Sequence, residues 1–369
     1  MFQSPGLFEL HDRVERFIPS FADMQVMDSE GKLEDARSPI TMLNLFTHTS
    51  GLTYPFMTAL CTGAPNPVAS RYMKEKIYGS KDLEEVVEKL ATMPLVNHPG
   101  EWWNYGMGID VLGRVVEVLS GCPLDVYFEE NIFAPLRMQD THFMQRLEPS
   151  MEGRLHKGYA MLPDDPSISP ATYNDGEIIA LPNVFADFLN LGRPNGDLRQ
   201  GFLEPGGGLV SSLDDWGRFA QCLCNGGSLD GQRILGSRTI EFLSMNHLPR
   251  ECKSSPMLRL ISDTPANHLS PRGTGNGMGF GLGVAVTLDV ATTGGLGSTG
   301  EFGWGGATST MVSIHLQRYT CALSNIYPST PHSSLCHRGS SWQLWRSRSW
   351  CRPRHTVGGR SSSRLFTAA

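Results

Sequence analysis

Apolar positions recur at helical spacing in two stretches of the chain. Within residues 81–93 (KDLEEVVEKLATM), Leu83, Val86, Val87 and Leu90 share one face, the spacing of an amphipathic helix laid on a core. Residues 108–119 (GIDVLGRVVEVL) repeat the pattern and direct Ile109, Leu112, Val115, Val116 and Leu119 inward. Both stripes read as core rather than as contacts for a cofactor. Residues 7–19 (LFELHDRVERFIP) read as a helix tail closed by Pro19, 42–52 (MLNLFTHTSGL) as a short helix stopped at Ser50-Gly51, and DVYFEENIFAP as a helix ending at Pro135. The polar, turn-forming stretches 22–40 and 150–205 predict loops. Gly206–Ser211 then predicts a tight strand, Ser212 caps a helix over 213–224, and Gly226-Gly227 ends it. From 277 to 325 the period falls to two, in MGFGLGVAVTL and ATSTMVSIHL, which predicts strands. Helices in the middle and strands late in the chain predict an α+β architecture rather than alternating βαβ units.

Composition changes this picture little. The 369 residues are 40% hydrophobic and 18% charged, ordinary for a soluble globular protein with a large core. No run of eighteen apolar residues exists to span a membrane, and the N-terminus lacks the cationic and apolar blocks of a secretory signal, so a cytoplasmic location is expected. The eight cysteines form neither a CxxC pair nor a zinc-spaced cluster, which predicts reduced thiols, no metal and no disulfides. Charge is more informative. The chain carries −14 up to Glu301 and +8 beyond it, where eight arginines stand without lysine or acid. A basic tail raises the question of nucleic acid or membrane contact. The tail, however, has no clean period and reads like the product of a shifted frame, so no nucleic-acid partner is expected.

Three landmarks carry chemistry. The first is Leu45-Phe46-Thr47-His48-Thr49-Ser50-Gly51-Leu52. The second is Pro99-Gly100-Glu101-Trp102-Trp103-Asn104-Tyr105-Gly106, followed by Asp110-Val111-Leu112-Gly113. The third is Phe302-Gly303-Trp304-Gly305-Gly306-Ala307. Supporting them are Ile132–Thr141, with Arg137 after Pro135-Leu136, and Gly207–Ser212. Together they resemble the serine β-lactamase and penicillin-binding-protein superfamily, in its esterase-like branch, over roughly residues 6–325. The resemblance implies a β-lactamase/transpeptidase-like fold over residues 1–327: an antiparallel sheet flanked by helices, plus a helical subdomain. It leaves 328–369 as a basic, poorly ordered tail.

The resemblance also implies roles. Tyr105 matches the tyrosine that serves as general base, with Gly106 in place of the common serine and Met107 where class C enzymes carry asparagine. Trp304, Gly305 and Gly306 match the strand edging the active site, and the backbone N–H of Ala307 matches an oxyanion donor. His48 and Ser50 match structural positions, and lie too close along one helix turn to act as nucleophile and base. Arg137 departs from the glycine of Pro-Leu-Gly-Met. The expected substrate is a small-molecule ester or amide, and no cofactor is expected.

Serine acyl transfer needs a hydroxyl activated by a neighbouring base, and the family supplies it from a Ser-x-x-Lys helix upstream of a segment like Gly6–Val14. The 369 residues begin five positions before Gly6, so that helix is expected to be missing. The one literal match, Ser29-Glu30-Gly31-Lys32, lies in an acidic turn-forming stretch. No GxSxG elbow offers an alternative, and Lys157 reads as a surface lysine. The expectation is a serine hydrolase by ancestry with impaired acyl chemistry. Its rival is a non-catalytic homologue that binds a ligand or serves as a structural protein.

Overall fold

The largest buried apolar cluster lies among the N-terminal helices and hairpin, and a second joins a later helix to the main sheet. The computed structural model describes residues 6–55, 57, 66–155, 159–160, 179–180, 201–254, 277–293, 297–306, 310–318, 320–325, 333–338, 341–346 and 365–368. Most of the predicted 150–205 loop, Lys157 included, falls outside the described residues.

The first segment differs from its predicted helix. Residues 7–19 instead hold a short 3-10 turn at Val14–Arg16, and a second follows at Pro19–Phe21. Pro19 opens that second turn, where its missing N–H costs nothing. The 22–40 stretch is not all loop: β1 (Gln25–Met27) pairs with β2 (Leu33–Asp35) in a hairpin that buries Val26 and Met27. Its turn holds the Ser29–Lys32 match. Asp28 Oδ1 accepts from the N–H groups of Glu30 and Lys32, Gly31 sits at φ +82°, and residues 28–32 are exposed. No helical turn joins Ser29 to Lys32.

Helix α1 (Met42–Phe46) starts at a Thr41/Asn44 capping box. Helix α2 (Pro67–Lys74) is capped by Asn66, and α3 (Leu83–Ala91) by Asp82, whose carboxylate accepts the Glu85 N–H at 2.8 Å. All four stripe residues of α3 are buried as predicted. Strand β3 (Trp102–Trp103) leads into α4 (Gly108–Ser120). Here Val111 and Asp110 are buried while Ile109 and Leu119 are half-buried. The stripe is broader than predicted because α4 packs against both α1 and α3. Contact with α1 is close at Gly108, where a Cβ would stand 2.8 Å from the Leu45 carbonyl oxygen.

After Leu124–Phe128 the helix continues through a π turn, Glu129–Phe133, so the predicted element is present with altered winding. Arg137, the departure from the family's glycine, lies at φ +55°. That left-handed backbone suits glycine and costs an L-residue about 1 kcal/mol or more. Arg137→Gly is therefore expected to raise stability by up to about 1 kcal/mol, part of the relief being offset by chain entropy; urea-denaturation midpoints check it.

Strand β4 (Leu209–Ser212) precedes α5 (Leu213–Cys224), capped by Ser212 through the Asp215 N–H as the sequence predicts. The 132–141 and 207–212 landmarks meet here. Thr141 Oγ1 lies 2.7 Å from Ser211 Oγ and 3.0 Å from Asp215 Oδ2, and Arg154 grips Asp140 through two 2.6 Å bonds.

The sheet follows: β5 (Met278–Phe280), β6 (Ala285–Thr287), β7 (Phe302–Gly305), β8 (Thr310–His315), β9 (Thr320–Asn325), β10 (Ser333–Arg338) and β11 (Ser341–Arg346), seven antiparallel strands in chain order. Ala220 and Cys224 of α5 pack with Val286, Phe302, Ile314 and Cys321 of the sheet in one apolar cluster. Helices over one sheet of meander topology make the architecture α+β, as the pattern predicts. Within 328–369, the described residues place β10 and β11 on the sheet edge, and β12 (Leu365–Ala368) pairs with β4. Alternation at period two is weak there, and the pairing rests on backbone hydrogen bonds that any side chain allows.

Candidate active site

The turn of the first landmark brings the site together. His48 adopts φ +53°, a left-handed conformation unusual for a non-glycine residue, and Gly51 follows at φ +83°, where a Cβ would sit 2.2 Å from the Asn97 carbonyl oxygen. The hydroxyls around it are engaged internally. Thr47 Oγ1 donates to the Leu43 carbonyl, Asn44 donates to Thr49 Oγ1, and Ser50 Oγ accepts from the Leu52 N–H. His48 and Ser50 thus form no nucleophile–base pair, in line with the structural role expected of them.

This turn holds the second landmark by its backbone. The Asn104 N–H donates to the His48 carbonyl at 2.7 Å, and Asn104 Nδ2 donates to the Leu52 carbonyl at 2.7 Å. Gly106 then passes so close that a Cβ would meet the Leu52 carbonyl oxygen at 2.2 Å and Thr53 Cα at 2.7 Å. The glycine standing where the family commonly has serine is what this approach needs.

Tyr105, between β3 and α4, is half-buried and held by aromatic neighbours. Its ring stacks on Trp103 (6.2 Å, 10° between planes) and meets His48 at 4.9 Å, Tyr54 at 4.9 Å and Trp304 at 5.7 Å. Phe280 completes the cluster against His48, Trp103 and Trp304. Such edge and tilted contacts contribute about 0.5–1.5 kcal/mol each beyond burial, so the ring is held by packing.

Two hydrogen-bonding neighbours address its oxygen, the Trp304 indole N–H as donor and the Tyr54 hydroxyl. Burial still pushes the Tyr105 phenol above its usual value, with the Asp110 carboxyl adding to the rise against the pull of those two neighbours. Among the described residues no cation contributes. His48 is held neutral by burial, down to about 3, against a hydrogen bond to the Gly106 backbone.

Trp304 reaches Tyr105 from β7, so the second and third landmarks, some 200 residues apart in the chain, do share one site. Gly303 allows the register: opposite Ser313, its Cβ would collide with the Val312 carbonyl oxygen at 1.9 Å. Gly305 pairs with Met311, and the Gly306 N–H donates to the Thr310 carbonyl at 2.7 Å to close the hairpin. Ala307 lies outside the described residues.

Two residues gain a place in the site that sequence reasoning had not assigned: Tyr54, not singled out at all, and Asp110, named only as part of the second landmark. Tyr54 places its hydroxyl 3.5 Å from Asp110 Oδ2, and Asp110, only 2% exposed, takes the Gly206 N–H on Oδ1 at 3.2 Å. Desolvation lifts the Asp110 carboxyl to about 7, ahead of the hydrogen bonds that lower it. The available signal was an acid on the inward stripe of α4, which is rarely buried without a partner. Among the described residues no helix is long and apolar enough to cross a membrane, and no cluster of His, Cys, Asp or Glu is arranged to hold a metal. Cys122, Cys222 and Cys224 are free thiols.

Known proteins resemble this chain in sequence and in fold. Residues 2–329 match the family model described as Beta-lactamase. A monacolin J acid methylbutanoyltransferase of Aspergillus terreus is 34% identical over 154 residues, 40% of this chain and 35% of that enzyme. A lovastatin esterase of Penicillium rubens is 31% identical over 155 residues, 41% of this chain and 37% of the esterase. These matches thus span little more than a third of those relatives' own lengths. Among solved structures, a mutant simvastatin synthase from Aspergillus terreus superposes with a TM-score of 0.61 at 25% identity, covering 86% of this chain and 70% of that one. A family match over most of the chain, on a fold with the same likeness, settles its membership: the chain belongs to the Beta-lactamase family.

Proposed function

We propose that the chain binds a small-molecule ester or amide between Tyr105 and strand β7, in a site built for serine acyl transfer. In that reading Tyr105 is the proton acceptor, Trp304, Gly305 and Gly306 wall the acyl group, and the Ala307 N–H takes the oxyanion. The observation that carries it is the convergence of Trp304, from β7, and Tyr54 on Tyr105, with the Trp304 indole N–H as a donor to its oxygen. Donors aimed at a phenol oxygen favour its ionised form, which a base needs and a packing residue does not. Relatives named as an acyltransferase and an esterase support the same chemistry, with an alcohol or water as acceptor.

The nucleophile has no counterpart in the sequence motifs, and the Ser29 match sits in an exposed hairpin turn. Among the described residues no cation lowers Tyr105 either. Acyl-enzyme formation by these residues is therefore expected at background level, and a ligand-binding homologue is the second reading. Mass spectrometry after treatment with a fluorophosphonate is expected to show no adduct. Calorimetry with a non-hydrolysable acyl phosphonate ester is expected to show binding that Trp304→Ala abolishes and Tyr105→Phe weakens roughly tenfold, the value of about one charge-assisted hydrogen bond. A covalent adduct on any serine would restore full catalysis to the chain. Binding indifferent to both substitutions would remove the site.

A further inference from the structure

We propose that Tyr54 and Asp110 are positioning residues for Tyr105: Asp110 directs the single hydroxyl proton of Tyr54 either toward itself or toward Tyr105, and so sets whether the Tyr105 oxygen receives a hydrogen bond or gives one. The inference rests on the reading of Tyr105 as the proton acceptor.

A phenol has one proton to donate, and Asp110 and Tyr105 are both neighbours of Tyr54 that would take it. Its oxygen lies 3.5 Å from Asp110 Oδ2, and it also hydrogen-bonds the Tyr105 hydroxyl, the rings standing 4.9 Å apart. The trio is closed in. Asp110 is buried on the first turn of α4, and at Gly206 a Cβ would come within 2.6 Å of the Tyr54 oxygen and 3.0 Å of Asp110 Oδ2. Gly206 also commits Oδ1 by donating its N–H, so Oδ2 is the oxygen facing Tyr54.

Two arrangements follow. An ionised Asp110 only accepts; it draws the Tyr54 proton, and the Tyr54 oxygen is left to accept from Tyr105. A protonated Asp110 donates from Oδ2 to the Tyr54 oxygen, which turns the Tyr54 proton onto Tyr105. Only the second arrangement adds to the Trp304 donor and stabilises a phenolate at Tyr105. The proton that distinguishes them comes from solvent and returns to it. Burial brings this choice to about pH 7. Among the described residues, the other titratable groups packed here are Tyr78 beside Tyr54, His48 against Tyr105, and Glu204, buried in the same turn as Gly206. His48 titrates near 3, and Glu204 is given its own control below.

Carbon-13 labelling at tyrosine Cζ reads the arrangement directly, with the Tyr105 resonance assigned by its loss in Tyr105→Phe. Between about pH 5 and pH 9 that resonance is expected to move in one step centred near neutrality. Tyr54→Phe removes the step. Asp110→Asn removes it too and holds the resonance at its low-pH position, because the amide oxygen stays on Gly206 and the NH2 donates to Tyr54 permanently. Glu204→Gln keeps the step. A native chain with no step, or a step that survives Tyr54→Phe, overturns the proposal; both readings stand even if Asp110→Asn fails to fold. If the step is present while acyl-ligand binding ignores Tyr105→Phe, the reading of the site falls and the relay remains. A missing step with binding intact removes the relay alone.

Discussion

Gly106→Ser is expected to destabilise the chain by about 3 kcal/mol or more, the upper range for forcing atoms into a packed site. The substitution restores the residue that relatives of this type commonly carry, which makes the direction informative. At Gly106 a Cβ would lie 2.2 Å from the Leu52 carbonyl oxygen, 2.5 Å from its carbon and 2.7 Å from Thr53 Cα. All three are backbone atoms of the turn that carries His48 and Tyr54, so no rotamer change relieves the overlap. Either that turn retreats or the Tyr105 segment does. The first breaks the Asn104 bonds to the His48 and Leu52 carbonyls; the second pulls Tyr105 from Trp304. Gly207→Ser is the control, an exposed glycine with nothing within 4 Å of its Cβ position, expected to change stability by less than about 0.5 kcal/mol. Denaturant midpoints on both variants decide it, and equal midpoints would mean the two segments are farther apart than described.

The same contrast shows what the sequence made legible. Leu83, Val86, Val87 and Leu90 report their helix because the burial of a surface helix is a property of one face, written at fixed spacing. Ser212 reports its helix because a cap is satisfied three residues away. The strands from 278 to 325 are legible for the same reason of locality. Tyr105 and Trp304 were reached only through resemblance, since nothing in their local spacing says that they touch. The roles of Tyr54 and Asp110 were missed because the groups that give them meaning, Gly206 and each other, lie 96 and 56 residues away. The hairpin at 25–35 was hidden by the exposed Leu33-Glu34-Asp35 strand, which shows no alternation. Backbone pairing in 333–346 was hidden likewise, in a Ser- and Arg-rich stretch where apolar residues are few and only weakly alternate.

The second large effect is a pH dependence that stays silent until one residue is changed. His48 is neutral in the fold down to about 3, against 6.5 for a free imidazole. Asp110 stays protonated up to about 7, against 3.8. Between about pH 4 and 6.5 the unfolded chain therefore carries a proton on His48 and none on Asp110, whereas the folded chain carries one on Asp110 and none on His48. Each state binds one proton on the pair, so the pair contributes almost no slope. Asp110→Asn removes one side. The depressed His48 then contributes stability that is present above pH 6.5 and lost as pH falls toward 3, at about 1.4 kcal/mol per unit. Relative to the native chain, the variant is expected to lose about 2–3 kcal/mol between pH 6.5 and 4.5. His48→Gln leaves the opposite slope, because the raised Asp110 contributes stability that is full below pH 3.8 and lost as pH rises through 7. Urea midpoints for the three proteins at several pH values separate these curves, and every other titrating group cancels in the differences. Parallel curves would show that the two side chains do not hold these opposed protonation states, and with them would go the neutral, water-poor setting in which Tyr105 is packed.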